Sequence, residues 1–169
     1  MADAKDWIGR IRTHEIESNS PHILKPGDMW NAKYNPSYFS PAHMDLFKSI
    51  DNAGASRWTA ALADNYTMMK ANQHGTTGLH SDWCNKDGSV NGPDEFGYEG
   101  IRIPWRVSMG YLWYGHSDAK LMMDKMANWI KSKYPNPSNI GSEFNRSSGN
   151  AMHNYSTGGF TGAFASTML

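Results

Sequence analysis

The stretch that decides the reading is Phe96-Gly97-Tyr98-Glu99-Gly100-Ile101-Arg102-Ile103-Pro104-Trp105-Arg106-Val107-Ser108-Met109-Gly110-Tyr111-Leu112-Trp113-Tyr114-Gly115. It carries one carboxylate, two arginines and five Tyr or Trp side chains. Its pattern predicts the opening of a helix, with Pro104 tolerable because it stands near the start. Glu99 and Arg102 are then one turn apart on one face, and an arginine so placed holds a carboxylate ionised and aimed. Two readings stand side by side here. A charged pair framed by Tyr98 and Trp105 suits a sugar, whose rings stack on aromatic faces while charged groups bond its hydroxyls. The same spacing also describes a surface ion pair worth only a few tenths of a kcal/mol.

Working outward, the 169 residues are enough for one domain with a real core. Sixteen basic residues balance sixteen acidic ones, so no basic field invites nucleic acid. Seven Trp and eight Tyr are more than a core of this size requires, which points to a ring-lined groove. The single cysteine, Cys84, excludes an internal disulfide. No Cys/His cluster has metal-ligand spacing, and the seven histidines read as surface or locally bonded groups. No cofactor is expected. No apolar run is long enough to span a bilayer, and the charged start Met-Ala-Asp-Ala-Lys-Asp lacks the apolar core of a signal peptide.

Helical spacing predicts five helices. They cover Asp3 to Ile16, Pro41 to Ile50 capped by Ser40, Arg57 to Asn72, the central one, and one capped by Ser117 or Asp118 that runs to Ser132. Between them lie long irregular segments, 17–40 and 75–97, and a Gly-, Ser- and Asn-rich tail from Tyr134. Short and long connections alternate. With antiparallel neighbours, every long loop then falls at one end of the bundle. That end would collect Trp30, Tyr38, Trp83 and Tyr98-Glu99, and long loops in compact domains usually carry function.

Several pieces, in order, resemble glycoside hydrolase family 8, bacterial enzymes acting on cellulose, chitosan, lichenan and xylan. They are Leu-Lys-Pro-Gly-Asp-Met-Trp (24–30), Asn-Pro-Ser-Tyr-Phe-Ser-Pro-Ala (35–42), Ser-Asp-Trp (81–83), Tyr-Glu-Gly-Ile-Arg-Ile-Pro-Trp-Arg (98–106), Tyr-Leu-Trp-Tyr-Gly (111–115) and Thr-Gly-Ala-Phe-Ala-Ser (161–166). The resemblance implies an all-α fold, a portion, roughly half, of an (α/α)6 toroid. It implies an inverting hydrolase of β-1,4-linked polysaccharide acting outside the cell. Glu99 matches the general base, which the family usually writes as aspartate. Tyr98 and Arg102 match the base's substrate-contacting neighbours, Trp30 a sugar platform, and Tyr38 the tyrosine that helps position water. Ser81-Asp82-Trp83 is expected to build the loop frame. Nothing in the sequence matches the family's acid glutamate, Glu15 and Glu17 lacking its context. Residues 1–169 are therefore expected to be a partial catalytic domain, without the acid segment and a final helix. Its exposed apolar flank is expected to be covered by self-association or by the missing segment. Two alternatives remain, a non-catalytic glycan-binding remnant and a polysaccharide lyase on a similar toroid.

Overall fold

A computed structural model of the chain describes residues 2–30 and 32–169. Six helices alternate with long connections: α1 Ala2–Arg10, α2 Pro41–Ile50, α3 Ala55–Asn72, α4 Ile103–Tyr114, α5 Ser117–Lys133 and α6 Gly158–Ala165. Three short strands, β1 Glu95–Phe96, β2 Ser142–Asn145 and β3 Ala151–His153, form one antiparallel sheet in that order. The all-α expectation holds for the framework and misses this sheet, whose strands are too short to show a period in sequence.

The helices follow their local chemistry. Pro41 opens α2 where its missing N–H costs nothing. Ser40 does not cap through its side chain, because its hydroxyl lies 2.7 Å from His43 Nδ1 instead. The first helix is shorter than its apolar spacing suggests: after Arg10 the backbone widens into a π turn over Ile11–Glu15. Gly115, at φ 70°, ends α4 in the left-handed conformation that suits glycine. Likewise α5 begins at Ser117 with His116 before it, and neither Ser117 nor Asp118 stands as the cap. The Gly-Ala-Phe segment, read as a loop, is itself the helix α6. The Thr157 hydroxyl accepts from the N–H of Phe160 at its start.

Packing joins α2 to α3 and to α4, and α4 to α5 and α6. At the α2–α4 crossing Gly110 lets the backbones meet, since a Cβ there would lie 2.7 Å from Pro41 Cγ and 3.0 Å from the Tyr66 hydroxyl. Below it, Tyr66 bonds His116 Nδ1 at 2.8 Å and His116 Nε2 reaches Asp45 at 2.5 Å, tying three helices together. The same core continues into the sheet, α5 and α6. Phe96 stacks on Phe164 at 5.7 Å, and Phe144 meets Phe160, Phe164 and Trp129. Helix α4 is apolar nearly all round, yet Trp105, Leu112, Trp113 and Tyr114 are exposed. No helix among the described residues is long and apolar enough to cross a membrane.

His80 departs from the expectation of surface or bonded histidines. It is fully buried, with the Met69 backbone as its polar neighbour and neither ring nitrogen in a well-formed hydrogen bond among the described residues. Burial, aided by the charges of Arg146 and Lys125, pushes its pKa down to about 3 from 6.5. Folded His80 thus stays neutral while the unfolded chain gains a proton below 6.5. Stability should therefore fall as pH drops from 6.5 towards 3. Urea unfolding of wild type and His80→Leu across that window checks it: the variant should lose this slope and be no less stable at pH 7. Gly110→Ala should cost about 1–3 kcal/mol in the same assay through overpacking at the α2–α4 crossing.

Candidate active site

The chain enters the site from β1. After Phe96 it leaves the sheet at Gly97 and makes a single 3₁₀ turn over Gly100–Arg102, from which α4 continues. Glu99 and Arg102 therefore share a tight turn before the helix, not its first α turn. The turn is pinned from beneath by Asp82. Its carboxylate accepts the N–H groups of Gly97 at 2.7 Å and Gly100 at 2.8 Å, with that of Glu99 at 3.4 Å. Both glycines are required by this approach, since a Cβ on Gly97 would lie 2.6 Å from Asp82 Oδ2. A Cβ on Gly100 would lie 2.7 Å from the Phe96 ring. Burial raises the Asp82 pKa, and the backbone donors of Gly97 and Gly100, with Arg102, oppose that rise.

Above this floor Glu99 is one-third exposed. Arg102 pairs with its Oε2, and the Asn35 amide donates to the same oxygen at 2.6 Å. Asn35 is itself fixed, because its Oδ1 accepts from the N–H of Ser37 and so turns Nδ2 towards Glu99. Arg102 also donates from Nε to the Ser37 hydroxyl at 3.1 Å and lies 5.3 Å over the Tyr38 ring. Arg106, one turn on, donates to the carbonyl of Ser37. The 35–38 segment and the 98–102 turn are thus one unit. Asn35 escaped the sequence reading as a site residue, although it heads the quoted Asn-Pro-Ser-Tyr motif. It also caps the 36–38 turn.

Tyr98 is half exposed and packs edge-on to Phe160 at 5.3 Å. Desolvation, followed by Tyr155 and Glu143 beside it, raises its phenol pKa. Trp30, 49% exposed, stacks on Trp83 with ring centres 5.8 Å apart and planes at 16°. Lys33 Nζ sits 3.9 Å from the Trp83 ring centre. Trp83 follows Asp82 directly, so one loop carries both the ring stacked on Trp30 and the carboxylate beneath Glu99. The structure joins Tyr38, Glu99 and Arg102 by direct contact, puts Tyr98 beside them, and links Trp30 to them through Trp83. All three long connections converge on this turn: 17–40 through Asn35, 73–94 through Asp82, and 134–157 through the pairing of β2 with β1. No three His, Cys, Asp or Glu among the described residues are grouped to hold a metal ion.

Removing the pin should be felt at the turn. Asp82→Ala leaves two short backbone hydrogen bonds unmade in a buried setting, at about 1–3 kcal/mol for each orphaned group. A loss of about 2–4 kcal/mol in urea unfolding is expected, with amide exchange at Gly97 and Gly100 accelerated ahead of that in α3. Unchanged protection there would mean that Asp82 does not hold the turn.

Comparison with known proteins follows the same outline. The family model described as "Glycosyl hydrolases family 8" matches residues 2–169. Endoglucanase 2 of Ruminiclostridium josui is 37% identical over 142 residues, covering 80% of this chain and 30% of that protein. Endoglucanase A of Acetivibrio thermocellus is 30% identical over 134 residues, covering 76% and 28%. Among solved structures, the β-1,3-1,4-glucanase of Paenibacillus sp. X4 superposes with a TM-score of 0.88 at 25% identity, over 98% of this chain and 48% of that one. A xylanase of Teredinibacter turnerae superposes at 0.80 with 16% identity, a likeness of fold alone. The chain spans about three tenths of the length of the curated relatives it matches and just under half of these solved chains. Its helices form part of the (α/α)6 toroid of those structures, and the chain belongs to glycoside hydrolase family 8.

Proposed function

We propose that this chain forms the general-base side of an inverting glycosidase site for β-linked polysaccharide, endoglucanase-like and acting on cellulose or a related β-glucan. The observation that carries it is the Glu99 carboxylate: one-third open, with Oε2 engaged by Arg102 and Asn35, and with Arg102 lying over the Tyr38 ring. A carboxylate so held can take a proton from a water on one face of a sugar ring, and Tyr38, its ring against Arg102, is read as helping to orient that water. Trp30, backed by Trp83, supplies an aromatic platform for a pyranose. Trp105, the other ring of the sequence reading, lies under Arg106 at 5.1 Å.

Inversion requires an acid about 6.5–9.5 Å from the base, leaving room for the water. No residue of this chain is assigned to that role, and residues 1–169 are read as part of a catalytic domain. The polymeric substrate implies action outside the cell. The apolar side of α4 is, in the same reading, a surface for self-association of the chain. No nucleic acid, membrane or cofactor enters the scheme.

The test is cellohexaose titration followed by tryptophan fluorescence, together with reducing-sugar release. The 169-residue chain should bind the sugar and release almost none, since acid assistance is worth roughly a hundredfold to ten-thousandfold. Trp30→Ala should weaken binding by about tenfold, the scale of one aromatic contact of about 1.4 kcal/mol. In a full-length catalytic domain carrying this segment, Glu99→Gln should abolish turnover with affinity nearly unchanged. Full activity in that variant would move the base elsewhere. Robust hydrolysis by the chain alone would put an acid within it, and an unsaturated product would mean a lyase.

A further inference from the structure

Ser37 is fully buried in the 3₁₀ turn Pro36–Tyr38, and each of its polar groups engages a residue around Glu99. Its N–H donates to Asn35 Oδ1 at 2.9 Å. Its hydroxyl oxygen accepts from Arg102 Nε at 3.1 Å. Its carbonyl accepts from Arg106 Nη1. The two guanidiniums lie in each other's field: burial first, and then the charge of Arg102, lowers the Arg106 pKa. Ser37 gives each guanidinium its own acceptor, and so holds two like charges against one turn.

The consequence falls on Glu99. A guanidinium is planar and rigid, so one bond at Nε sets the direction of its other nitrogens. Ser37 fixes that edge of Arg102, the Tyr38 ring lies 5.3 Å from the guanidinium carbon, and Nη2 meets Glu99 Oε2. Asn35 is set by the same residue. With its Oδ1 occupied by the Ser37 N–H, its Nδ2 donates to Glu99 Oε2 at 2.6 Å. Both holders of the carboxylate therefore reach the same oxygen, and no hydrogen bond among the described residues engages Oε1.

We propose that Ser37 is a positioning residue for the proton transfer at Glu99: through Asn35 and Arg102 it fixes Oε2 and leaves Oε1 as the oxygen that takes the proton from water. The inference rests on the reading of Glu99 as the base. The water's proton ends on Oε1 as its oxygen bonds the anomeric carbon, and the departing sugar oxygen takes a proton from a carboxylic acid. Fully buried, Ser37 touches neither sugar nor water. It acts on the reaction by aiming the groups that hold the carboxylate ionised.

The experiment follows the side-chain carboxyl carbon signal of Glu99 by NMR, identified by its loss in Glu99→Gln, through a pH titration of the 169-residue chain. Ser37→Ala removes one oxygen and leaves the backbone bonds to Asn35 and Arg106 in place. Its Glu99 midpoint should rise by about half to one pH unit, because a less well aimed Arg102 favours the ionised form less. Arg102→Ala should raise it by about one to three units. In the Arg102→Ala background Ser37→Ala should add nothing, since the hydroxyl acts through Arg102. Ser37→Cys, which fills the space with a poor acceptor, should repeat the Ser37→Ala shift. An unmoved midpoint in Ser37→Ala, or an undiminished shift without Arg102, would overturn the proposal and leave the Glu99 reading standing. In a full-length catalytic domain carrying this segment, Ser37→Ala should lower kcat roughly tenfold with KM held. The acid limb of its pH–rate profile should move up with the NMR midpoint. A midpoint that moves while the acid limb stays put would overturn Glu99 as the base, and Ser37's part in the reaction with it.

Discussion

The structure depends on one buried carboxylate. Asp82 takes the backbone N–H groups of Gly97 and Gly100, with Glu99 near, and so folds four residues around a point instead of letting them extend from β1. A strand that ran on past Phe96 would carry Glu99 away from Asn35 and Arg102. A helix begun early would turn it towards α4. The carboxylate selects the tight turn between these outcomes, and it requires glycine at both contact points because any Cβ would strike it or its neighbour. Burial raises the pKa of Asp82, and its pairing with backbone donors offsets that cost while fixing the geometry.

The turn matters because three chain segments distant in sequence are anchored to it. Asn35 uses one side of its amide on Ser37 and the other on Glu99, so the 35–38 segment and the Glu99 carboxylate are positioned by a single group. The sheet holds the turn from the other side, and the Phe96, Phe144, Phe160 and Phe164 cluster ties it to α6. Polar groups aim the carboxylate, and an apolar core makes the aim rigid. The helices behind them, locked by the Tyr66, His116 and Asp45 chain, serve as the wall against which this unit is fixed.

Much of this was legible in the residues. The apolar spacing predicted α2, α3 and α5, whose Met44, Trp58, Ala61, Tyr66, Met69, Met122 and Met126 are buried in the core. Alternation of short and long links correctly predicted convergence of the loops. What stayed hidden depends on partners far away in sequence. Strands of two to four residues show no period, and β1 exists only because β2 lies beside it. Glycines conceal α6, whose helix is stabilised by burial of Phe160 and Phe164 and not by propensity. Asn35, the left-handed Glu143 and the fully buried His80 likewise carry no local signature. The resemblance that pointed to Glu99, Arg102, Tyr38 and Trp30 rested on ordered short motifs, and two of them, 35–42 and 81–83, meet the 98–106 motif at one turn.

The central claim is that Glu99, presented by the Asp82-held turn, faces a bound β-glycan. A crystal structure of the chain soaked with cellohexaose tests it most directly. The account predicts sugar rings running across Glu99, one of them flat on Trp30, with the free carboxylate oxygen and the Tyr38 hydroxyl within hydrogen-bond reach of a common water or sugar oxygen. Sugar bound elsewhere, for instance in the apolar cleft between the end of α5 and α6 lined by Ile130, Tyr134 and Phe164, with the Glu99 turn empty, would contradict it.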